Sequence, residues 1–197
     1  AYHDVGVLLA RAIKNHPVLK TVPTYQAAET IRATVVGAGT HTTNVSGSTI
    51  QYTDGKLPLK NIPVLRMSEE DEQNPALFQT TLQRKLQLFM NEGHMEQVAI
   101  VVSGKYHTSF LKVQELAEMI IHGAEAVISG PYPLIIVLEN DIAKVLGNAI
   151  NVLLERKKDF ICIDGIYAND GDYIDIGEPV AMGRVVPVVT KTLIFNS

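Results

Sequence analysis

The sequence has little cysteine and no surplus of basic residues. Its single cysteine, Cys162, lies in the apolar run "FICI", so a disulfide framework is excluded and a small buried hydrophobe in a reducing compartment is the expected role. The 17 lysines and arginines are outnumbered by 21 aspartates and glutamates, which gives a formal net charge of -4. The basic excess typical of nucleic-acid-binding proteins is missing, so we expect no nucleic-acid partner.

Long apolar runs are also missing. No stretch approaches the roughly 20 residues needed to cross a bilayer, and the first residues lack the basic, apolar and cleavage regions of a signal peptide. We therefore expect a cytoplasmic protein without a membrane partner. The chain starts at Ala1, without Met, inside the helical pattern "AYHDVGVLLARAIKN", and we expect it to begin within a larger protein. Its 197 residues can bury the core of one α/β domain or of two small ones.

Metal-binding patterns are absent as well. The six histidines are scattered, without HExxH or a close pair. In "ANDGDYIDIGEP", Asp170, Asp172 and Asp175 suggest calcium, but Ile174 occupies a position where the EF-hand loop needs an oxygen ligand. We interpret Asp170-Gly171 as a hairpin turn instead. We expect no metal site, and no nucleophile and base can be paired as catalytic residues.

Apolar runs that alternate with amphipathic segments dominate the second half of the sequence. The run "VAIVV" precedes a predicted helix over about 109–122, and "LIIVL" precedes another over about 141–156. This alternation predicts a parallel sheet that is covered on both faces. The clearest helix begins at the cap Asn74-Pro75 and runs to Gly93. From "FICI" onward, β-branched runs and turns predict strands and hairpins.

A polar, acidic stretch, "SEEDEQNP", separates this half from the first. We place a domain boundary near Glu70, which gives domains of residues 1–70 and 71–197. The residues from Glu69 to Glu72 are interpreted as a solvated acidic loop. Before the boundary, one helix is predicted to end near Asn15, since two prolines follow. The runs "ATVV", "STIQYT" and "IPVLRM" predict strands.

Two segments at predicted strand ends are candidate binding sites. The segment "SGKYHTSF", residues 103–110, could hold an anion on its backbone with help from Lys105. It could equally be an ordinary connection from strand to helix with a hydroxyl cap. Glu139, Asn140 and Asp141 follow "LIIVL", at a usual ligand position in open α/β sheets. Capping of the next helix by Asn140 or Asp141 explains these residues as well.

A third candidate is the glycine-rich stretch after "ATVV". Backbone amides of such a turn can face a nucleotide because glycine lets another molecule approach the main chain closely. The alternative is a tight turn without a ligand. The stretch is not a P-loop, since the Lys-Ser/Thr pair is missing, and Thr42 stands where a dinucleotide fingerprint needs its third glycine. The candidate contact residues are Gly37, Ala38, Gly39, Thr40 and His41.

The string "ATVVGAGTHTT" resembles the adenosine motif of the actin-like ATPase superfamily, in which a strand ends in a loop of small residues that packs against the adenosine of ATP. Together with "PLIIVLENDIAKVLG" and "GDYIDIGEPVAMGRVVPVVTKTLIF", nearly the whole chain resembles the family of ethanolamine ammonia-lyase reactivating factors. The resemblance implies an α/β protein. It would comprise the end of an actin-like (ribonuclease H-like) nucleotide-binding domain, followed by an α/β unit that ends in β-hairpins.

The same resemblance implies a chaperone-like protein that uses ATP and Mg²⁺ to release damaged cobalamin from ethanolamine ammonia-lyase, so that adenosylcobalamin can rebind. Its partners would be the lyase and ATP, and the resemblance leaves a homo-oligomer open. The expected location is the cytoplasm, with a bacterial microcompartment as a further prediction. An actin-like scaffold protein and a small-molecule kinase are the alternative functions.

The chain departs from the superfamily pattern in two ways. Its two phosphate loops have no match, since Asp175-Ile176-Gly177 begins like one but continues with Glu178-Pro179 in place of the threonines. We expect these loops upstream, so the chain alone should bind nucleotide weakly and hydrolyse none. No D-x-H-x-x-G cobalamin motif is present either, and a cobalamin site in this chain is not expected.

Overall fold

The computed structural model describes residues 5–23, 25, 39–46, 50–182 and 185–193. The chain divides into two compact units, Ala1–Ala33 and Thr34–Ser197. The first contains helix α1 (Gly6–Asn15) and a 3-10 turn (Leu19–Thr21). Helix α1 ends where the sequence predicts, because His16 precedes a proline and takes an extended conformation with ψ 129°.

The second unit is built around a mixed sheet. The described strands are β1 (Gly39–Val45), β2 (Gln51–Tyr52), β3 (Leu59–Arg66), β4 (Met90–Asn91), β5 (His94–Met95), β6 (Ala99–Val102), β7 (Leu134–Leu138), β8 (Phe160–Ile163), β9 (Tyr173–Ile176) and β10 (Pro187–Leu193). Eight of them form the mixed sheet in the order β1-β10-β9-β3-β6-β7-β8-β2, and β4 and β5 form a separate small hairpin. The helices are α2 (Glu69–Glu72), α3 (Pro75–Leu86), α4 (Phe110–Gly123), α5 (Glu125–Ser129) and α6 (Ala143–Leu153), with a 3-10 turn at Gln87–Phe89.

The parallel part of the sheet contains β3, β6, β7 and β8. Strands β6, β7 and β8 are buried along their whole length, as their uninterrupted apolar runs predict. The described helices of this unit pack on one face of the sheet, where α3, α4 and α6 contribute Phe78, Leu116 and Leu146 to the first core cluster. The other face packs on apolar residues of the antiparallel strands β9 and β10, including Ile174 and Val188. The sheet therefore curls over itself, and among the described residues of this unit its second face is covered by strands and not by helices as predicted.

Local signals place the helix starts correctly. Asn74 caps α3, since its Oδ1 accepts from Leu77 N at 3.2 Å, and Pro75 is the first helical residue. Ser109 caps α4 in the same way through Lys112 N at 3.4 Å. Helix α3 ends at Leu86 and not near Gly93, because the chain turns there into the 3-10 turn and the β4–β5 hairpin.

The C-terminal strands form one hairpin, β9–β10, as their turns and β-branched runs predict. The predicted turn at Asp170-Gly171 is present: Asp172 N donates to Asn169 O at 3.1 Å, and Gly171 has φ +89°. It does not make a hairpin, however, because β8 and β9 are not neighbours. Strand β9 lies beside β3 instead.

The segment around Glu70 connects two strands that pair with each other in the same sheet. Glu70 lies in helix α2, and β3, which precedes it, pairs with β6, which follows it. The compact units divide at residue 33, far from this point. The domain boundary near Glu70 stays a prediction, as does the actin-like assignment.

Candidate functional site

The predicted nucleotide segment falls partly on the described residues. Gly37 and Ala38 lie outside them, whereas Gly39, Thr40 and His41 begin β1 and pair with Leu193, Thr192 and Lys191 of β10. The extended course of β1 agrees with the rejection of a dinucleotide fingerprint, which would require a helix here. Among the described strands β1 is an edge, so half of its backbone groups point away from β10. Nucleotide contact by these five residues stays a prediction.

A buried polar network lies next to this segment. Lys191, the β10 partner of His41, has a side chain that is only 7% exposed. Its Nζ donates to Asn61 Oδ1 at 2.8 Å and lies 2.6 Å from Asp175 Oδ2. The other oxygen of Asp175 accepts from Asn61 N at 2.7 Å. Both carboxylate oxygens therefore have protein partners, and Asp175 connects β9 with β3 and β10.

A second polar cluster lies at the carboxyl edge of the parallel strands. Arg66 at the end of β3 forms an ion pair with Glu139 after β7, across the intervening strand β6. The same guanidinium donates to Ala168 O at 3.1 Å and lies 5.0 Å from the ring centre of Tyr167. Behind it, Asp170 accepts from Arg66 N at 2.6 Å. These contacts fix Arg66 on all sides, and its charge is compensated.

The acidic run contributes to this cluster as well, contrary to its interpretation as a solvated loop. Glu72 of α2 has no exposed side-chain surface. Its carboxylate accepts from Ser103 N at 2.6 Å and from Gly104 N at 2.9 Å. Burial raises the pKa of Glu72, and these two hydrogen bonds oppose that shift. The backbone amides that the sequence suggested for an external anion are thus occupied by the protein's own carboxylate.

Two neighbours complete the contact between α2 and this loop. Lys105 Nζ, suggested as an anion contact, lies 3.1 Å from Glu69 Oε2. His107 is buried, and its Nδ1 has no hydrogen-bond partner although it lies 3.9 Å from Glu72 Oε2. Burial lowers the pKa of His107. The loop after β6 is therefore a structural connection with the hydroxyl cap Ser109.

Asn140, after β7, has its side-chain amide directed to another strand end. Asn140 Nδ2 donates to Ser103 O at 2.8 Å, which ties the ends of β6 and β7 together. A backbone amide in the first turn of α6 instead finds its partner next to β8. Ala143 N donates at 2.9 Å to Oδ2 of Asp164, the residue that directly follows this strand. Asp164 is buried, and no local sequence signal connects it with a helix that starts 21 residues earlier.

The order of the described parallel strands gives no reversal point at the carboxyl edge. Ligands of open α/β sheets bind where the strand order reverses and helices leave toward opposite faces. Here β3, β6, β7 and β8 follow one another in a single direction, with α3, α4 and α6 on one face. The charges described at this edge compensate one another. The cluster can therefore position strand ends, but it offers no nucleophile, base or phosphate contact of its own.

Metal and thiol chemistry receive no support within the described residues. No group of three or more His, Cys, Asp or Glu side chains there could hold a metal ion. Asp170, Asp172 and Asp175 each contact different protein groups. Cys162 is buried, as predicted, and burial raises the pKa of its thiol. No helix in the described ranges is long and apolar enough to cross a membrane.

Comparison with known proteins gives a specific result. A family model described as "Ethanolamine utilisation protein EutA" matches residues 1–196. The chain belongs to the EutA family. Two curated relatives carry the name "Ethanolamine ammonia-lyase reactivase EutA": the protein of Salmonella typhimurium is 35% identical over 196 residues, and that of Escherichia coli is 34% identical over 196 residues. All of this chain is matched, but it spans only 40% of the length of either EutA relative. No solved structure matches significantly.

Proposed function

We propose that this chain is the C-terminal part of an ethanolamine ammonia-lyase reactivase. The observation that carries the proposal is the match of the EutA family model to residues 1–196. The two relatives, both named for this activity, match the whole chain as well. Since the chain spans 40% of their length, the ATP-dependent activity of the complete protein, its lyase partner and its cytoplasmic or microcompartment location belong to the proposal.

The role proposed for this chain is to contact the adenosine of ATP through Gly37, Ala38, Gly39, Thr40 and His41. Two features support it. Strand β1 is an edge among the described strands, which leaves backbone groups for a ligand. Its sequence "GTHTTNV" contains no aspartate, glutamate, lysine or arginine and no proline that would block such an approach. The network of Lys191, Asn61 and Asp175 would hold β10, the partner of this strand, against β9 and β3.

The phosphates and Mg²⁺ are proposed to bind elsewhere in the complete protein. The described residues offer no free phosphate contact at the two polar clusters, because Asp175 is paired with Lys191 and the Ser103 and Gly104 amides are paired with Glu72. ATP binding and hydrolysis would then favour one of two conformations with different affinity for the lyase. Release of damaged cobalamin requires only this difference and no contact of this chain with the carbon–cobalt bond.

The experiment that tests the proposal uses the full-length protein that contains this segment. It is mixed with ethanolamine ammonia-lyase that has been blocked by an inactive cobalamin, with Mg²⁺-ATP and fresh adenosylcobalamin. We expect lyase activity to return only when both the protein and ATP are present. No recovery with competent components would overturn the reactivase, and filament formation with ATP or phosphate transfer to a small molecule would then support a scaffold or a kinase.

The adenosine contact is tested separately with Gly37→Val. A side chain at this position should crowd the nucleotide and weaken ATP binding at least tenfold in the full-length protein. Thr43→Val, an isosteric change at an exposed position of the same strand, is the matched control and should bind normally. Unchanged affinity of the Gly37 variant would remove the assignment of this segment but would leave the reactivase proposal intact.

A further inference from the structure

The loop between β6 and α4, residues 103–109, contains a buried polar atom without a hydrogen-bond partner. This atom is Nδ1 of His107, whose side chain is only 3% exposed. No other buried side-chain nitrogen or oxygen in the part of the chain that the structure describes lacks a partner. Nδ1 lies 3.9 Å from Oε2 of Glu72, which is too far for a hydrogen bond. Buried polar groups are almost always paired, so an unpaired one calls for an explanation, such as an ion that binds beside it.

The same loop directs two backbone amides toward the Glu72 carboxylate. Ser103 N donates to Oε1 at 2.6 Å and Gly104 N donates to Oε2 at 2.9 Å. Gly104 has φ +72°, and a Cβ there would be 2.9 Å from Ile142 Cδ1, so glycine permits this turn of the backbone. Successive amides that converge in this way form an anion-binding concavity. Three polar groups of the loop thus surround one carboxylate, and its two oxygens leave His107 unpaired.

We propose that this loop is a binding site for inorganic phosphate, which Glu72 occupies with its own carboxylate until phosphate displaces it. Two phosphate oxygens would accept from the Ser103 and Gly104 amides, as the carboxylate does, and a third can reach His107. Phosphate suits Nδ1 in either tautomer, because its oxygens accept from a protonated nitrogen and its hydroxyl donates to an unprotonated one. With Glu72 in place, the loop has no free amide and is the structural connection described above.

The charge and the enclosure of the site also fit this ion. Replacement of the Glu72 carboxylate by the phosphate monoanion leaves the charge at the amides unchanged. The positive charge of Arg66 acts on this position, and Lys105 directly follows the two amides, where it is paired with Glu69 at 3.1 Å. The Glu72 side chain has no exposed surface, so the space that it vacates is closed on the outside. A free ion fits such a space, whereas the ester group of a larger phosphate compound would need an exit.

Helix α2 is the element that has to move. It has only four residues, Glu69–Glu72, and a helix of this length is not stable by itself. Its other contacts with the loop are exposed: Glu69 Oε2 lies 3.1 Å from Lys105 Nζ and 3.0 Å from Tyr106 Oη. Exposed pairs of this kind contribute little stability. Departure of Glu72 should therefore release α2 from the loop. The inference is independent of the proposed function, in which the phosphates of ATP bind elsewhere.

Nuclear magnetic resonance of the 197-residue chain, titrated with inorganic phosphate at constant ionic strength, tests the site. We expect Glu72→Ala, which empties the loop, to bind phosphate about tenfold more tightly than the wild type, with shifts at the Ser103 and Gly104 amides and at His107 Nδ1. Adding His107→Phe to Glu72→Ala should weaken binding about tenfold, the effect of one hydrogen bond to a charged group. Glu70→Ala, which removes an exposed carboxylate from the same helix, is the matched control and should behave as the wild type.

Hydrogen exchange of the wild type tests the displacement. Saturating phosphate should speed amide exchange in residues 69–72, because α2 leaves the loop, and an equal ionic strength of chloride should not. Circular dichroism shows whether each variant is folded. A folded Glu72→Ala chain that binds no phosphate, binding that His107→Phe does not weaken, or a wild-type α2 that phosphate does not release would each overturn the proposal. Because no lyase is present, these outcomes do not depend on the reactivase assay.

Discussion

Lys191 shows how a single buried charge can determine the structure around it. Its ammonium group is compensated by Asp175 and bound by Asn61, and the three residues belong to β10, β9 and β3. Removal of one partner of a buried pair leaves the other charge uncompensated, which typically costs about 3–5 kcal/mol. We expect Lys191→Met to approach the lower end of that range, because Asp175 keeps 24% of its side-chain exposure.

Urea unfolding measures this loss, and two further variants define its cause. Adding Asp175→Asn to Lys191→Met should restore part of the stability, since no unpaired carboxylate remains. Lys157→Met breaks the exposed pair with Glu155 and should cost less than about 1 kcal/mol. If Lys191→Met costs no more than Lys157→Met, the buried network does not hold the strands.

His107 predicts how stability depends on pH. Burial lowers its pKa below the ordinary 6.5, so the unfolded chain binds this proton more readily than the folded chain does. The free energy of unfolding should therefore fall as the pH drops below about 6.5. The raised pKa of Glu72 acts in the opposite direction, because protonation at lower pH favours the folded state there.

We therefore expect His107→Phe to lose less stability than the wild type between pH 7 and pH 5. The variant removes the titrating group while it keeps a ring at this buried site, where Nδ1 has no hydrogen-bond partner. Chemical denaturation at both pH values gives the comparison. An equal loss in the two proteins would show that His107 does not titrate in this range; His122→Phe, at an exposed position, serves as the control.

Gly147 allows helix α6 to lie close to strand β2. It lies on the inner side of α6, where a Cβ would be 2.6 Å from Gln51 Cβ of β2. Gly147→Ala should therefore push β2 away from α6, disturb its pairing with β8 and destabilise the protein by about 1–3 kcal/mol. The better helix propensity of alanine, worth about 1 kcal/mol, would offset part of this cost.

Thermal unfolding tests this expectation, with Lys144→Ala as the control in the same helix at an exposed position. Amide hydrogen exchange at Gln51 and Tyr52 provides a local measure, since these residues pair with Cys162 and Ile161. Faster exchange there without a change elsewhere would place the effect at β2. A more stable Gly147→Ala protein would show that the edge strand moves without cost.

Elements with local signals were the ones that the sequence predicted well. The caps Asn74 and Ser109 fix helix starts through contacts three residues away, and the run "LIIVL" is strand β7 without adjustment. The order of the strands was beyond prediction, because β9 pairs with β3 across more than 100 residues of chain. Glu72 was misinterpreted for the same reason: its partners, Ser103 and Gly104, are 31 and 32 residues distant.

At the scale of the whole molecule, the two polar clusters among the described residues hold strand ends together and do not form a complete nucleotide site. These clusters are closed by their own ion pairs and hydrogen bonds, and the predicted adenosine segment lies at an edge of the sheet. The chain also spans only 40% of the relatives named as reactivases. These facts are consistent with the proposal that the phosphate chemistry belongs to other parts of the complete protein.

The 197-residue chain should therefore release no phosphate from ATP above the background of the assay. Hydrolysis requires groups that position Mg²⁺ and an attacking water, and Asp175 and the Ser103 and Gly104 amides are already occupied. Phosphate release is measured with Mg²⁺-ATP, and the Asp175→Asn variant shows whether any signal depends on the one motif that begins like a phosphate loop. Turnover that disappears in this variant while circular dichroism shows that the variant is folded would contradict the prediction and place a group needed for hydrolysis at Asp175.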